Sequence, residues 1–166
     1  MKKVLSLFLL SISFGYAQDI ASVDSDSTPG YTSSRTIGEE KLLKKEDFKS
    51  ADGRMIVSNL NCKINTSEMT HKVLVSVLCK KVAFNQIGVK KINEMILFAN
   101  KKVSNTVSSS QHYKPTEIKM AYNPEARNWS LTNLYSVTDD NGVVKKKLLA
   151  LDFDSTGKFL GMKSVF

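Results

Sequence analysis

The feature that most constrains this chain is a change, near Val103, in how its apolar residues are spaced. Before it, Val89, Ile92, Ile96, Ala99 and Val103 recur three and four positions apart, with Met95 flanking them. Lys90, Lys91, Asn93, Glu94, Asn100, Lys101 and Lys102 fall mostly between. Such spacing describes an amphipathic helix of about four turns with one buried stripe. Gly88 precedes the stripe and a Ser/Asn/Thr-rich stretch follows it, so the pattern predicts a helix over about 88–105.

After the helix the period becomes two. Ile118, Met120 and Tyr122 alternate with Glu117 and Lys119; Trp129, Leu131, Asn133, Tyr135 and Val137 form the next face; Leu149, Leu151 and Phe153 form a third. Alternation of this kind places every second side chain on one side of a strand. The breaks between the runs are turn sequences: Pro124 within 123–127, Asn141-Gly142, and Asp154-Ser155-Thr156-Gly157. Proline cannot continue a central strand, and Asn-Gly tolerates positive φ. The expected architecture is α+β: an amphipathic helix packed on a C-terminal four-stranded antiparallel meander over about 115–166. One or two further strands precede it, at 54–59 and 73–81, where Val73, Val75, Val77 and Cys79 alternate with Leu74, Ser76, Leu78 and Lys80. A short helix is expected at 41–48 and a turn at Asp52-Gly53.

The amino-terminal end has a different character. Lys2 and Lys3 precede an eleven-residue apolar run at 4–14, and Gly15 and Ala17 place small residues at the −3 and −1 positions of a cleavage site. These are the three parts of an export signal, and the run is too short for a span of about 20 residues. Residues 1–17 therefore read as a signal peptide. Residues 18–40, rich in Ser, Asp, Thr and Gly, read as a flexible leader, and 41–166 as one α+β domain. The expected location is periplasmic or secreted. Formal charge is +8 and falls to +6 without the signal, which carries two lysines and no acids. In an oxidising compartment Cys62 and Cys79 form a disulfide candidate, with two buried thiols as the alternative. A bridge closing this loop would stabilise the fold by roughly 3 kcal/mol.

The helix, Tyr113-Lys114-Pro115 opening the next strand, Trp129 early in the following one and the hairpin 153–159 together resemble helix-then-meander modules of small exported bacterial proteins with cystatin-like or NTF2-like folds. The last hairpin also resembles that of periplasmic PepSY-like and β-lactamase-inhibitor-protein-like domains. The resemblance covers under half of the chain and implies a fold. No functional residue transfers with it, because such folds host many activities.

Catalytic chemistry is poorly represented. His71 and His112 are the only histidines, and neither stands at metal-ligand spacing from a cysteine or in an H-E-x-x-H pattern. No nucleophile elbow or Gly-rich phosphate loop is present. Asp139-Asp140-Asn141-Gly142 lacks the later Glu of a calcium loop, and Asp152 and Asp154 share a strand face but Asp154 begins a turn. No catalytic residue, cofactor or metal is expected. Tyr122, Trp129, Tyr135 and Phe153 are the first candidates for a ligand surface, with core packing as the competing role. Lys91 and Lys102, eleven positions and about three turns apart, are candidates for an anion-binding helix stripe. Nucleic acid is disfavoured because basic and aromatic residues are not interleaved. The functional expectation is an exported non-catalytic binding module that uses a sheet face or hairpin loops. An inhibitor of a periplasmic or secreted enzyme is the alternative. The partner would be another exported protein, or an anionic glycan or lipid surface.

Overall fold

The computed structural model describes residues 38–165; the signal assignment and all but the end of the leader lie outside the described residues. After a 3-10 turn at Lys45–Asp47 come β1 (Lys49–Ala51), β2 (Arg54–Asn65), β3 (Thr70–Lys80), α1 (Lys81–Ser104), β4 (His112–Asn123), β5 (Asn128–Thr138), β6 (Val144–Asp154) and β7 (Phe159–Ser164). The chain is α+β, with one helix and a seven-stranded sheet in the order β1-β2-β3-β4-β5-β6-β7. All neighbours pair antiparallel except β3 and β4, which run parallel because α1 carries the chain from one to the other. Parallel strands need such a crossover.

The sheet thus has seven strands where the sequence pointed to a four-stranded meander with one or two strands before it. Expectation and structure part company at β2, which is 12 residues long rather than a short strand at 54–59. Between Val57, opposite Val77, and Leu60, opposite Val75, two residues of β2 face the single Ser76 of β3. Asn59 in this bulge has φ 49°, and its side chain accepts a hydrogen bond from Ser76 Oγ at 3.1 Å. The extra residue interrupts the alternation in sequence while keeping Val57, Cys62 and Ile64 on one face. At 41–48 the structure has only the 3-10 turn and no regular helix.

The helix also begins earlier than its apolar stripe. It starts at Lys81, directly after β3, and Gly88 interrupts it with φ 70° and ψ 171°. A backbone at that φ favours glycine, so the predicted segment is the second limb of a kinked helix. Its apolar side (Ile92, Met95, Ile96, Ala99 and Val103) is buried. It lies over β2, β3, β4 and β5 rather than over a C-terminal meander alone. From the sheet, Ile64, Val73, Val75, Ile118, Met120, Trp129, Leu131, Leu151 and Phe153 meet it in one continuous core.

A second bulge, at Thr116, lies between Pro115 opposite Tyr135 and Glu117 opposite Leu134. Thr116 Oγ1 donates to the Leu134 carbonyl at 2.8 Å. The β3–β4 ladder runs from Leu74–Glu117 to Leu78–Ala121, so Pro115 lies beyond it and need not donate to that neighbour.

Two hairpins use the same turn. In Asp139-Asp140-Asn141-Gly142-Val143 and in Asp154-Ser155-Thr156-Gly157-Lys158, the Gly amide donates to the Asp carbonyl, at 2.9 and 3.0 Å. The Asp Oδ1 accepts from the amides two and four residues on. Gly142 and Gly157 take φ 76° and 81°. The β5–β6 turn is therefore organised by Asp139, with one positive-φ glycine, rather than by Asn141 and Gly142 as a two-residue loop.

Candidate functional site

The helix divides the sheet into a covered face and an open one, and the residues expected at a ligand surface fall on the covered side. Trp129 is 0% exposed, Phe153 1% and Tyr135 4%; Tyr122, half-buried, packs on Trp129 with ring centroids 5.1 Å apart. These four belong to the core or its margin, which corrects their candidacy as a ligand surface. The physical reason is that the apolar face of α1 needs an apolar partner, and the aromatic face of the sheet supplies it.

Lys91 and Lys102 do not form a free stripe. Lys91 pairs with Glu94 at 3.2 Å and its stem lies against Gly157, where an added Cβ would come within 2.8 Å of Cε. Lys102 Nζ lies 5.9 Å from the Phe98 ring centroid and 5.7 Å from that of Phe159, within cation–π range. A recess of about 290 Å³ lined by Lys91, Glu94, Phe98, Phe153 and Phe159 brings some of the expected residues together. Its chemistry is that of a helix margin sealed by long side chains.

Cys62 and Cys79 are both buried and both free thiols. Register explains why they do not bridge: Cys62 is opposite Val73, whereas Cys79 lies six residues further along β3, opposite Met55. Six residues of strand span about 20 Å, against the roughly 7 Å a disulfide allows between Cα atoms. Burial pushes each thiol up to about 11, which makes both poor nucleophiles near neutral pH. The disulfide expectation is corrected accordingly.

His112, His71 and Asp154 each have partners within the fold. His112 Nδ1 meets the Glu68 carboxylate at 3.1 Å on the surface. Buried His71 contacts Thr66 Oγ1 through Nε2 at 3.3 Å, and its pKa is lowered by burial first and by the charge of Lys114 second. Asp154 is held below its ordinary value, first by the hydroxyl of Thr156 and then by the Lys158 amide, because its carboxylate organises the turn. Among the described residues no three His, Cys, Asp or Glu side chains are grouped to hold a metal ion, and no helix is long and apolar enough to cross a membrane. Inside the core, Tyr113 donates to Asn100 Oδ1 at 2.9 Å and accepts from Asn133 Nδ2 at 3.1 Å. Asn100 Nδ2 in turn donates to the Asn65 carbonyl at 3.3 Å, which ties the end of β2 to α1.

What sequence reasoning missed is the opposite face of the sheet. The register lays it out in rungs. Ile56, Leu78, Ala121, Ser130 and Asp152 stand side by side across β2 to β6. Ser76, Lys119, Thr132 and Ala150 form the next rung, and Asn61, Leu74, Glu117, Leu134 and Leu148 the one after. No helix among the described residues is laid over them, and although Ala150 is buried, Leu74 and Leu78 remain 38% and 44% exposed. A mainly apolar depression of about 400 Å³ lies here, its open-face lining including Ile56, Ser76, Leu78, Lys119, Ala121 and Thr132. The exposed leucines at 74 and 78 were visible in the alternation, but only with the helix assigned to the other face do they become a surface.

Comparison with known proteins finds no match to a family model, a curated protein or a solved structure.

Proposed function

We propose that this protein is a non-catalytic binding module, exported to the periplasm or beyond, whose working surface is the open face of its sheet. The observation that carries the reading is the uncovered depression around Leu78, with small side chains at Ser76, Ala121 and Ser130 forming its floor and Lys119 at hand. Concave, mostly apolar surfaces with a few placed polar groups are the usual ground for ligand binding. The buried, inert thiols and the turn-bound aspartate support a role without chemistry. The export signal read at 1–17 supports the location. One helix laid across a mostly antiparallel sheet supports the cystatin-like or NTF2-like resemblance as part of the same proposal.

The test uses 8-anilinonaphthalene-1-sulfonate, an apolar anion, with fluorescence and amide-shift mapping. The expected result is binding to the folded protein, with shifts centred on Ile56, Ser76, Leu78, Ala121 and Thr132, abolished in Ala121→Glu. Shifts confined to other regions would overturn the open-face reading. An enzyme partner whose contacts map to the hairpin loops 123–127 and 139–142 would establish the inhibitor alternative instead.

A further inference from the structure

Beyond the apolar depression, the open face ends in a rung made almost entirely of lysine. Lys63 on β2 is directly opposite Lys72 on β3. Lys114 on β4 is opposite Ser136 on β5, which is opposite Lys146 on β6. The β3–β4 ladder ends at Leu74–Glu117, and beyond it the bulge at Thr116 makes Lys114 the next open-face residue of β4, as Lys72 is of β3. Lys41 extends the row through an antiparallel bridge to Lys63, with backbone hydrogen bonds of 3.0 and 2.8 Å. All five lysines are exposed, and none has an ion-pair partner among the described residues. Glu117, one rung along, is engaged by Lys119 at 3.1 Å.

Like charges directly opposite on neighbouring strands destabilise a sheet. Protection of edges from aggregation does not account for Lys72 and Lys114, which lie on interior strands. Neighbouring strands are about 4.8 Å apart, so the lysines form a one-dimensional array roughly 24 Å long. Lysines on adjacent strands lie inside the Debye length of about 8 Å, and Lys114 and Lys146, with Ser136 between them, lie about two strand spacings apart, so a polyanion aligned with the row would feel several of them together.

We propose that this row binds a linear acidic polysaccharide with one carboxylate per sugar ring, a polyuronate, laid across the strands. The proposal rests on the open-face reading and names the ligand class for its basic end. A polyuronate carries its carboxylates at regular intervals along one extended chain, which suits a row of charges rather than a compact patch. The open face presents no aromatic side chain along these rungs, which removes the stacking platform that single-stranded nucleic acid uses. A flat anionic membrane would meet Glu117, Asp152 and Asp154 on the same face along with the lysines.

The experiment measures binding of the protein to polygalacturonate at several salt concentrations, with neutral dextran, oligo-dT and phosphatidylglycerol vesicles alongside. Polygalacturonate is expected to bind, to weaken steeply with salt, and to be preferred over the other three. Lys63→Gln, Lys72→Gln and Lys114→Gln together should reduce affinity at least tenfold. The charge-matched triple Lys90→Gln, Lys101→Gln and Lys158→Gln should change it less than twofold. Equal losses in both triples, no binding, or a preference for vesicles or oligo-dT would overturn the proposal. These failures leave the depression around Leu78 intact as a binding surface, because its readout is the separate shift map with the apolar anion.

Discussion

The two faces of the sheet are made by the same strands and the same alternation, and they differ in what the alternation is given to meet. On the covered face Val73, Val75, Val77, Met120, Trp129 and Leu131 are matched by the apolar side of α1, and their exposure falls to 2% or less. On the open face Leu74, Leu78, Lys119 and Thr132 occupy the neighbouring positions, and no helix among the described residues is laid over them. A strand's period decides which residues share a face, and a second layer decides which face becomes core. The face richer in aromatic residues, where a ligand surface was sought, is the one the helix took.

This contrast is open to experiment. The largest effect is expected at Trp129: Trp129→Ala should lower stability by about 3–5 kcal/mol, since it empties the centre of the core. Leu78→Ser on the open face should stay within about 0.5 kcal/mol. Urea titrations of both variants would measure the difference, and similar values would mean that the open face is packed after all.

A smaller effect is expected from the polar device within the covered face. Tyr113→Phe removes the hydroxyl that serves both Asn100 and Asn133, leaving buried amide groups unsatisfied. A loss of about 1–3 kcal/mol should follow. Tyr122→Phe, at the core margin, should cost less, and thermal melts of the pair would sharpen the distinction between centre and rim.

The smallest is a pH effect at His71. Its folded pKa lies below the ordinary 6.5 because of burial and Lys114. The unfolded chain therefore binds the proton more readily as pH falls, so the stability linked to neutral His71 is present above about 6.5 and lost below it. Melting temperature should drop between pH 7 and pH 5, and His71→Gln should drop less over that interval. An equal drop would place the dependence on other groups.

Legibility in the sequence tracked how local the determinant was. The stripe from Val89 to Val103 and the alternations around Trp129 and Leu151 are properties of a few consecutive residues, and they mark helix and strands directly. β2 was underestimated because its bulge at Ser58 and Asn59 breaks the pattern that signals a strand. The first helical limb, 81–87, carries no clear signal of its own because Gly88 cuts its stripe from the next. The lysine rung was invisible for a stronger reason: Lys41, Lys63, Lys72, Lys114 and Lys146 come from five separate segments, and only register brings them into line.

By itself the sequence determined the periods, the turns at Asp139 and Asp154 and the poverty of catalytic groups, since each is encoded within a few neighbouring residues. Only the tertiary structure decided that α1 would cover the Trp129 face, that Cys62 and Cys79 would lie too far apart to bridge, and that five lysines would gather at one end of the open face. Those outcomes depend on crossover and strand pairing, which join residues tens of positions apart and leave no local trace.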